Sequence, residues 1–358
     1  MAPIAVLIPT YSRPDSLARA LRSVFGQDRA DLIREIVVID NAPDGSARQT
    51  VDALRTASPA PLIYIHATPP GVATARNVGL SATDAPYIAF IDDDEEASPT
   101  WLGALYDVHQ TLEADVTFGP VQGRTPDALA WKRPYLERFF SRTGPATSGL
   151  SEEVYGCGNS LMTRATALKD PAPFDTAAND TGGEDDRLFS DLKAAGGRFA
   201  WAADAWVDEI APTHRATLRY TLSRAISYGQ SPAQLCWRRG DPLGTAKWVV
   251  IGAGQVLIYG ATALVLMALQ RPAWIDVMDQ AARGLGKVLW FRNVAFYGRG
   301  VAKFARAGAA DGGAAATSID PAIGAGAGMG GVGTATSAGA GVASFTPKAT
   351  NITQMKLL

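Results

Sequence analysis

This chain of 358 residues has few cysteines, no pattern typical of a secretory signal and no surplus of positive charge. Two cysteines, Cys157 and Cys236, cannot build a framework of several disulfides, so the sequence predicts a protein of a reducing compartment. Met1-Ala2-Pro3 leads directly into a strand-like segment, and we expect no cleaved signal peptide. Lysine and arginine number 33 against 35 acidic residues, a formal net charge of −2. Because binding to nucleic acid phosphates needs a basic surplus, we expect no nucleic acid partner.

Composition divides the chain into three regions. Residues 1–240 are mixed and punctuated by Pro, Gly and Asp, which predicts a folded domain. Residues 241–305 contain the charge-free apolar run Trp248–Leu269 and then an amphipathic helical pattern, which predicts a membrane-associated region. Residues 306–358 are rich in Ala, Gly, Ser and Thr and poor in large apolar side chains, which predicts a disordered tail.

Short apolar runs of strand length alternate with helical patterns in the first region. The runs lie at Ile4–Ile8, Ile36–Ile39, Leu62–Ile65 and Tyr87–Ile91. Continuous apolarity predicts strands that are buried on both faces, as in a parallel sheet between two layers of helices. Asp15 and Ser16 are predicted to cap the helix between the first two strands. We therefore predict a doubly wound α/β fold, in which ligands bind outside the carboxyl ends of the strands.

Polar side chains gather where these predicted strands end. The first strand is followed by Pro9-Thr10-Tyr11-Ser12-Arg13, the second by Asp40 and the fourth by Asp92-Asp93-Asp94-Glu95-Glu96. On its own, Asp40 is best explained by a turn in which its carboxylate accepts backbone hydrogen bonds. The acidic run also suits a helix start, because Ser98-Pro99 follows it, but a helix cap needs only one carboxylate. Five crowded acidic residues favour a hard divalent cation, Mg²⁺ or Mn²⁺.

Together these segments resemble the family 2 glycosyltransferases of the GT-A fold. The resemblance rests on Pro9-Thr10-Tyr11, Asp40, Gly71–Gly79, Asp92-X-Asp94, Tyr155–Leu161 and Gly182–Phe189. Phe90–Glu95 and Thr181–Asp185 are most similar to the bacterial exopolysaccharide glucosyltransferases of the succinoglycan type. The resemblance implies an inverting, metal-dependent hexosyltransferase that takes its sugar from a UDP-sugar, UDP-glucose or a similar donor.

The same resemblance implies a role for each residue at the nucleotide side. Asp94 would ligate the metal, and Asp92 would hold the ribose or a metal-bound water. Thr10 and Tyr11 would enclose the uracil base, and Asp40 would accept its N–H.

Four further residues complete the implied nucleotide site and its chemistry. Arg13 and Arg76 are cations placed to meet phosphate oxygens, and Asp93 is counted with them among the nucleotide-contacting residues. Asp185, within Glu184–Asp186, is the expected base that takes the proton of the acceptor hydroxyl. The same acidic triplet also places favourable negative charge at a helix start, and both roles are compatible.

One position departs from the family pattern. Relatives of this type often carry a His near Val207–Glu209, where it completes the metal shell, but this sequence has Asp208 there. His214 lies close by in sequence. The sequence therefore leaves the third protein ligand open.

Membrane attachment is indicated after the predicted catalytic domain. Arg215–Arg239 is basic and amphipathic, as suits an anionic lipid surface. Trp248–Leu269 is long enough to cross a hydrocarbon core of about 30 Å, although its glycines and Gln255 leave open a buried or re-entrant helix. Because UDP-sugars are cytosolic, we expect the catalytic domain at the cytoplasmic face of the inner (plasma) membrane. A lipid-linked or oligosaccharide acceptor fits that location.

Three other classes of protein fit the sequence less well than a glycosyltransferase. A sugar-nucleotide pyrophosphorylase shares the sheet but needs a Gly-rich loop where Pro9-Thr10-Tyr11 stands. A HAD-type phosphatase expects Thr or Val where Glu96 stands. A non-catalytic relative that binds sugar nucleotides would lose the base, yet Asp185 is present.

Overall fold

The computed structural model describes residues 2–179 and 182–292. Its strands are β1 (Ile4–Thr10), β2 (Ile33–Asp40), β3 (Leu62–His66), β4 (Tyr87–Phe90), β5 (Glu95–Ala97), β6 (Val116–Phe118), β7 (Val121–Arg124), β8 (Gly149–Leu150), β9 (Ser160–Thr163), β10 (Phe199–Trp201) and β11 (Val207–Ile210). Its α-helices are α1 (Pro14–Phe25), α2 (Arg48–Leu54), α3 (Val72–Ser81), α4 (Trp101–Thr111), α5 (Arg133–Phe140), α6 (Arg164–Ala167), α7 (Glu184–Ala194), α8 (Leu218–Arg238), α9 (Pro242–Ala268) and α10 (Trp274–Val288).

The central sheet has eight strands in the order β3-β2-β1-β4-β9-β6-β10-β8. The four strands predicted from apolar runs form one parallel half, because β1 pairs with β2 and β4 and β2 pairs with β3, all in parallel. Strand β9 runs antiparallel between β4 and β6. The predicted α/β architecture with a mainly parallel sheet is confirmed. The carboxyl ends of β1, β2 and β4 therefore meet at one edge of the sheet.

The core lies on both faces of this sheet. Alternate residues of β1 point to opposite sides: Ile4, Val6 and Ile8 pack in one apolar cluster with α1, whereas Ala5 and Leu7 pack in another with α3. All five side chains are fully buried. This burial on two faces explains why the strand reads as a continuous apolar run.

The predicted cap of the first helix is wrong, and the alternative explanation of the acidic run as a helix start does not hold. Helix α1 begins at Pro14, and no side chain caps it, so Asp15 and Ser16 lie inside its first turn. Proline suits that first position because its missing N–H would have no helical partner. The acidic run does not begin a helix either, since a turn after β4 leads into β5 and α4 starts only at Trp101.

A small second sheet lies beside the acidic run. Its strand order is β5-β11-β7, with β11 antiparallel to β5 and parallel to β7. The pairing sets Glu209 opposite Glu95. The backbone N–H of Ile210 also donates to the carbonyl of Asp94 at 2.8 Å. Strand β11 is thus fixed against the loop that carries the aspartates.

Helices α8, α9 and α10 pack together after the second sheet. Helix α10 also contacts α5, because Ile275 is buried in one apolar cluster with Tyr135 and Leu136. The apolar run predicted at Trp248–Leu269 lies in α9, which is long and apolar enough to cross a membrane. The boundary at residue 240 stays a prediction. The predicted tail, 306–358, and the end of the predicted amphipathic stretch, from 293 to 305, lie outside the described residues.

Candidate active site

The loop after β4 joins the end of β1 through the side chain of Asp93. The Thr10 hydroxyl donates to Asp93 Oδ2 at 2.7 Å, and Arg13 Nη1 donates to Asp93 Oδ1 at 2.8 Å. The same Arg13 nitrogen donates to Asp94 Oδ2 at 2.7 Å, and Arg215 Nη1 lies 3.5 Å from that oxygen. The structure therefore brings together Thr10, Arg13, Asp93 and Asp94 of the predicted site.

Asp92 faces the other way, toward α3 and α7. Arg76 on α3 lies 3.7 Å from Asp92 Oδ1 and forms an ion pair with Glu184 at the start of α7. Arg76 and Glu184 are both buried, whereas the side chain of Asp92 is 39% exposed. The Nε atom of Arg76 is also buried, with no hydrogen-bond partner in the described part of the chain. Arg76 thus connects the aspartate loop to the helix that carries Asp185.

The predicted base, Asp185, is held by backbone N–H groups. Its Oδ2 accepts from the N–H of Cys157 and its Oδ1 from the N–H of Asp186, both at 3.0 Å. The loop with Cys157 runs between the two acidic groups: a Cβ at Gly156 would lie 3.4 Å from Asp185 Oδ2, and one at Gly158 would lie 2.6 Å from Asp92 Oδ2. A side chain at Gly158 would therefore collide with Asp92, which explains why glycine stands there.

Arg142 orders this loop and was not predicted from the sequence. Its guanidinium donates to the carbonyl oxygens of Gly119, Gly156, Gly158 and Asn159 at 2.7–3.1 Å. Burial lowers its pKa, and the nearby carboxylates partly offset that effect. A single arginine in a loop gives no signal in the sequence that identifies it as a structural centre.

Burial and mutual repulsion raise the pKa of several carboxyl groups at this edge. Burial, followed by the effect of neighbouring acids, raises the pKa of Asp92 and raises that of Glu95 well above its usual value. The same causes raise the pKa of Asp93 to about 6 and that of Glu209 to about 8. Arg13 and Arg76 oppose these shifts for the aspartates. The arginines thus only partly offset the cost of burying these carboxylates beside one another.

The residues near the family's histidine position point to two sides of β11. Asp208 forms an ion pair with Arg124 at 3.0 Å and is directed away from the aspartates. Glu209 alternates to the other face, where Asp94 raises its pKa and Arg215 opposes that shift. Val207 is fully buried. Because side chains alternate along a strand, the sequence signal that could have identified Glu209 is its position two residues after Val207, on the same face of β11. His214 is half-buried, and burial lowers its pKa.

Asp40 at the end of β2 is paired with Thr10 across the sheet and is fully buried. Its Oδ1 accepts from the N–H of Ala42 at 3.0 Å, and its Oδ2 accepts from the N–H of Ala47 at 2.8 Å and the hydroxyl of Tyr64 at 3.0 Å. The carboxylate therefore holds the loop after β2, as the turn interpretation predicts. Tyr11 is 39% exposed at the same edge.

The chemistry of the donors fits a hard divalent cation. Asp92 and Asp94 offer carboxylate oxygens, and burial together with the crowding of carboxylates raises the pKa of Asp92, a shift that a bound cation would oppose. Within residues 2–179 and 182–292, however, no group of three or more His, Cys, Asp or Glu side chains is placed to share one ion. A cation here would take part of its ligands from water or from a bound diphosphate.

Comparison with known proteins agrees with the fold. The family model for glycosyl transferase family 2 matches residues 5–169. The succinoglycan biosynthesis protein ExoM of Rhizobium meliloti is 33% identical over 265 residues, which cover 74% of this chain and 84% of ExoM. The pre-mycofactocin glycosyltransferase of Mycobacterium tuberculosis is 27% identical over 306 residues, which cover 79% of this chain and 62% of that protein.

Among solved structures, S. aureus TarS 1-349 in complex with UDP aligns with a TM-score of 0.45 and 15% identity. The alignment covers 80% of this chain and 89% of that one. Similarity of this degree says nothing about what this chain binds. The match to the family model and the extent of the similarity to ExoM confirm the α/β fold of the GT-A type and the family that the sequence predicts. The chain therefore belongs to glycosyltransferase family 2.

Proposed function

We propose that this glycosyltransferase is an inverting hexosyltransferase of exopolysaccharide synthesis, with UDP-glucose or a similar UDP-sugar as donor. The observation that carries the proposal is the position of Asp185, at the start of α7 and beside the loop that touches Asp92. The exopolysaccharide role is supported by the similarity to the succinoglycan biosynthesis protein ExoM.

Asp185 supplies the one base that a single displacement needs. Transfer with inversion requires a carboxylate on the acceptor side to take the hydroxyl proton, whereas double displacement requires a second carboxylate as nucleophile. The N–H groups of Cys157 and Asp186 fix the direction of the Asp185 oxygens. In this mechanism, an Asp185 oxygen accepts the proton as the acceptor oxygen attacks the anomeric carbon, and the bond from that carbon to the phosphate oxygen breaks, so that UDP leaves with the electron pair.

The nucleotide occupies the edge formed by the ends of β1, β2 and β4. Tyr11 is exposed there and offers its ring to the uracil base, next to Thr10 and Asp40. Arg13 and Arg215 bring positive charge to Asp94 and would also meet the diphosphate oxygens. Arg76 adds a buried cation on the far side of the loop.

Asp92 and Asp94 would hold Mn²⁺ or Mg²⁺. When bound there, the ion neutralises the negative charge that develops on the departing UDP. Arg13 and Arg215 already neutralise part of the charge on Asp94, so they would share this carboxylate with the ion. The arginines thus contribute to the same stabilisation of charge.

The acceptor is a lipid-linked or oligosaccharide chain, and the enzyme acts at the cytoplasmic face of the inner (plasma) membrane. Support comes from α9, a helix that is long, apolar and little buried. Residues 1–240 carry the catalytic groups, and residues 241–305 attach them to the membrane.

The direct test is turnover of candidate donors by the purified chain. UDP-, GDP- and dTDP-sugars are incubated with the enzyme in Mn²⁺ and in EDTA, and the released nucleotide is measured. We expect release from a UDP-hexose in Mn²⁺ only. Turnover confined to GDP- or dTDP-sugars would contradict the donor, and equal turnover in EDTA would contradict the metal.

A further inference from the structure

Helix α9 presents an apolar face that no described residue covers. Leu257 and Ile258 are 72% and 66% exposed, and 11% of the most apolar stretch of the helix is buried. The exposed apolar side chains that define this α9 apolar face are Leu243, Val250, Leu257, Ile258, Leu264, Val265 and Leu269. Several of them recur every seven residues, which places them along one side of the helix.

The opposite side of α9 is covered by α10. A Cβ at Gly252 would lie 2.6 Å from the carbonyl oxygen of Gly284, so the two backbones meet where only glycine fits. Near the start of α9, Lys287 Nζ lies 6.0 Å from the centre of the Trp248 ring. These contacts pair the first part of α9 with the last part of α10, so the two helices run antiparallel.

Helix α10 is in turn fixed to the catalytic domain. The Tyr135 hydroxyl donates to Asp279 Oδ1 at 3.2 Å, and Arg138 on the same helix, α5, forms an ion pair with Asp276. Helix α9 is therefore the outer layer of a folded body. If α9 crossed a bilayer, α10 would carry the charges of Asp276, Asp279, Arg283 and Lys287 into the hydrocarbon, which is strongly unfavourable.

Positive charge lies at both ends of the α9 apolar face. Residues 215–292 contain ten lysines and arginines and three aspartates, a net charge of +7, although the whole chain carries −2. Arg238, Arg239, Lys247 and Arg271 are exposed at the two ends of α9. An anionic leaflet attracts such cations. A second copy of the chain, in contrast, would bring like charges together at the same face.

Exposed aromatic rings lie at the same end as Arg238 and Arg239. Trp237 is 56% exposed, and its ring centre lies 5.1 Å from that of Trp290. Phe291 is 65% exposed beside Trp290. Tryptophan next to arginine is typical of side chains at the headgroup level of a bilayer.

We propose that α9 lies in the plane of an anionic membrane surface, with its apolar face in the acyl boundary, and does not cross the bilayer. This inference rests on the proposed membrane attachment and defines its geometry. The bilayer covers the α9 apolar face, Arg238, Arg239, Lys247 and Arg271 contact lipid phosphates, and Trp237 and Phe291 sit among the headgroups.

Vesicle flotation tests the lipid surface. Full-length protein is mixed with vesicles of phosphatidylcholine alone or of equal parts phosphatidylcholine and phosphatidylglycerol. We expect binding to the anionic vesicles and a drop of about tenfold in the bound fraction for Leu257→Glu. Leu150→Glu is the matched control, because Leu150 is 60% exposed on β8, outside this surface, and it should float like the parent. A dimer that Leu257→Glu dissociates, without flotation of the parent, would overturn the proposal.

Thiol labelling on membranes separates an in-plane from a spanning helix. Asp241→Cys and Gln270→Cys, at exposed polar positions just outside the two ends of α9, are made singly in a Cys236→Ser background. An impermeant maleimide added to inverted inner-membrane vesicles should label both positions, and added to intact spheroplasts it should label neither. Labelling of one position from each side would show a spanning helix and overturn the proposal. Nucleotide release from the UDP-sugar in detergent tests the proposed transferase independently of these results.

Discussion

The backbone N–H of Cys157 donates a hydrogen bond to Asp185 Oδ2 at 3.0 Å, and the loop that contains Cys157 also touches Asp92. This loop therefore links the acceptor side of the proposed site to the aspartates at the end of β4. Arg142 fixes the loop through the carbonyls of Gly156 and Gly158. The position of the proposed base thus depends on a buried arginine that donates hydrogen bonds to the backbone of the loop.

Arg142→Lys should lower the turnover of transfer by about 10²-fold, because a lysine ammonium cannot hold four carbonyl oxygens and small displacements of a base are costly. Affinity for UDP, measured by calorimetry, should stay within about twofold, since the hydrogen bonds of Arg142 go to backbone carbonyl groups and not to a residue proposed to bind the nucleotide. Arg187→Lys is the control, because it changes an exposed side chain on α7, the helix that carries Asp185. Loss of UDP affinity in parallel with turnover would show general damage rather than misplacement of Asp185.

Asp94→Ala should abolish the Mn²⁺-dependent part of UDP affinity, because one of the two proposed metal ligands is removed. Calorimetric titration of UDP with and without Mn²⁺ measures this part directly. Asp208→Ala is the matched control, since Asp208 pairs with Arg124 on the other side of β11. Equal loss in the two variants would argue against a cation at Asp94.

Glu184→Gln should lower the free energy of unfolding by about 3 kcal/mol, because it leaves the buried guanidinium of Arg76 without its closest anion. Asp175→Asn removes an exposed ion pair with Arg187 and should cost less than about 1 kcal/mol. Urea unfolding of both variants gives the comparison. Similar losses would mean that the Arg76–Glu184 pair is not a main connection between α3 and α7.

Stability should fall in mild acid because of His109. This imidazole is buried between the hydroxyls of Thr117 and Thr163, and burial lowers its pKa to about 4. Above pH 6.5 the ring is neutral in both states, and as the pH falls toward 4 the unfolded state binds the proton first. The folded state should thereby lose about 3 kcal/mol. His109→Gln should remove this loss, and unfolding free energies at pH 7 and pH 4 test it; an unchanged difference would contradict the assignment.

The parallel half of the sheet was predictable because its strands are buried on both faces and so read as apolar runs. The short strands of the second sheet could not be predicted. Strand β5, Glu95-Glu96-Ala97, has no apolar pattern, and it is a strand because it pairs with β11, which lies far away in the sequence. Among the site residues, proximity of Thr10, Arg13 and Asp93 follows from strand ends that meet at one edge. Arg142 escaped prediction because its role depends on carbonyl groups that only the folded loop brings together.

The most direct measurement concerns Asp185 itself. Asp185→Asn keeps the size of the side chain and removes its basicity, so transfer to the acceptor should fall by about 10²–10⁴-fold while UDP and Mn²⁺ bind as in the parent. Asp186→Asn is the matched control on the next, exposed position and should keep most of the turnover. The anomeric configuration of the parent's product, read by NMR, should be inverted. Parental turnover in Asp185→Asn, or a product with retained configuration, would contradict a single displacement driven by this base.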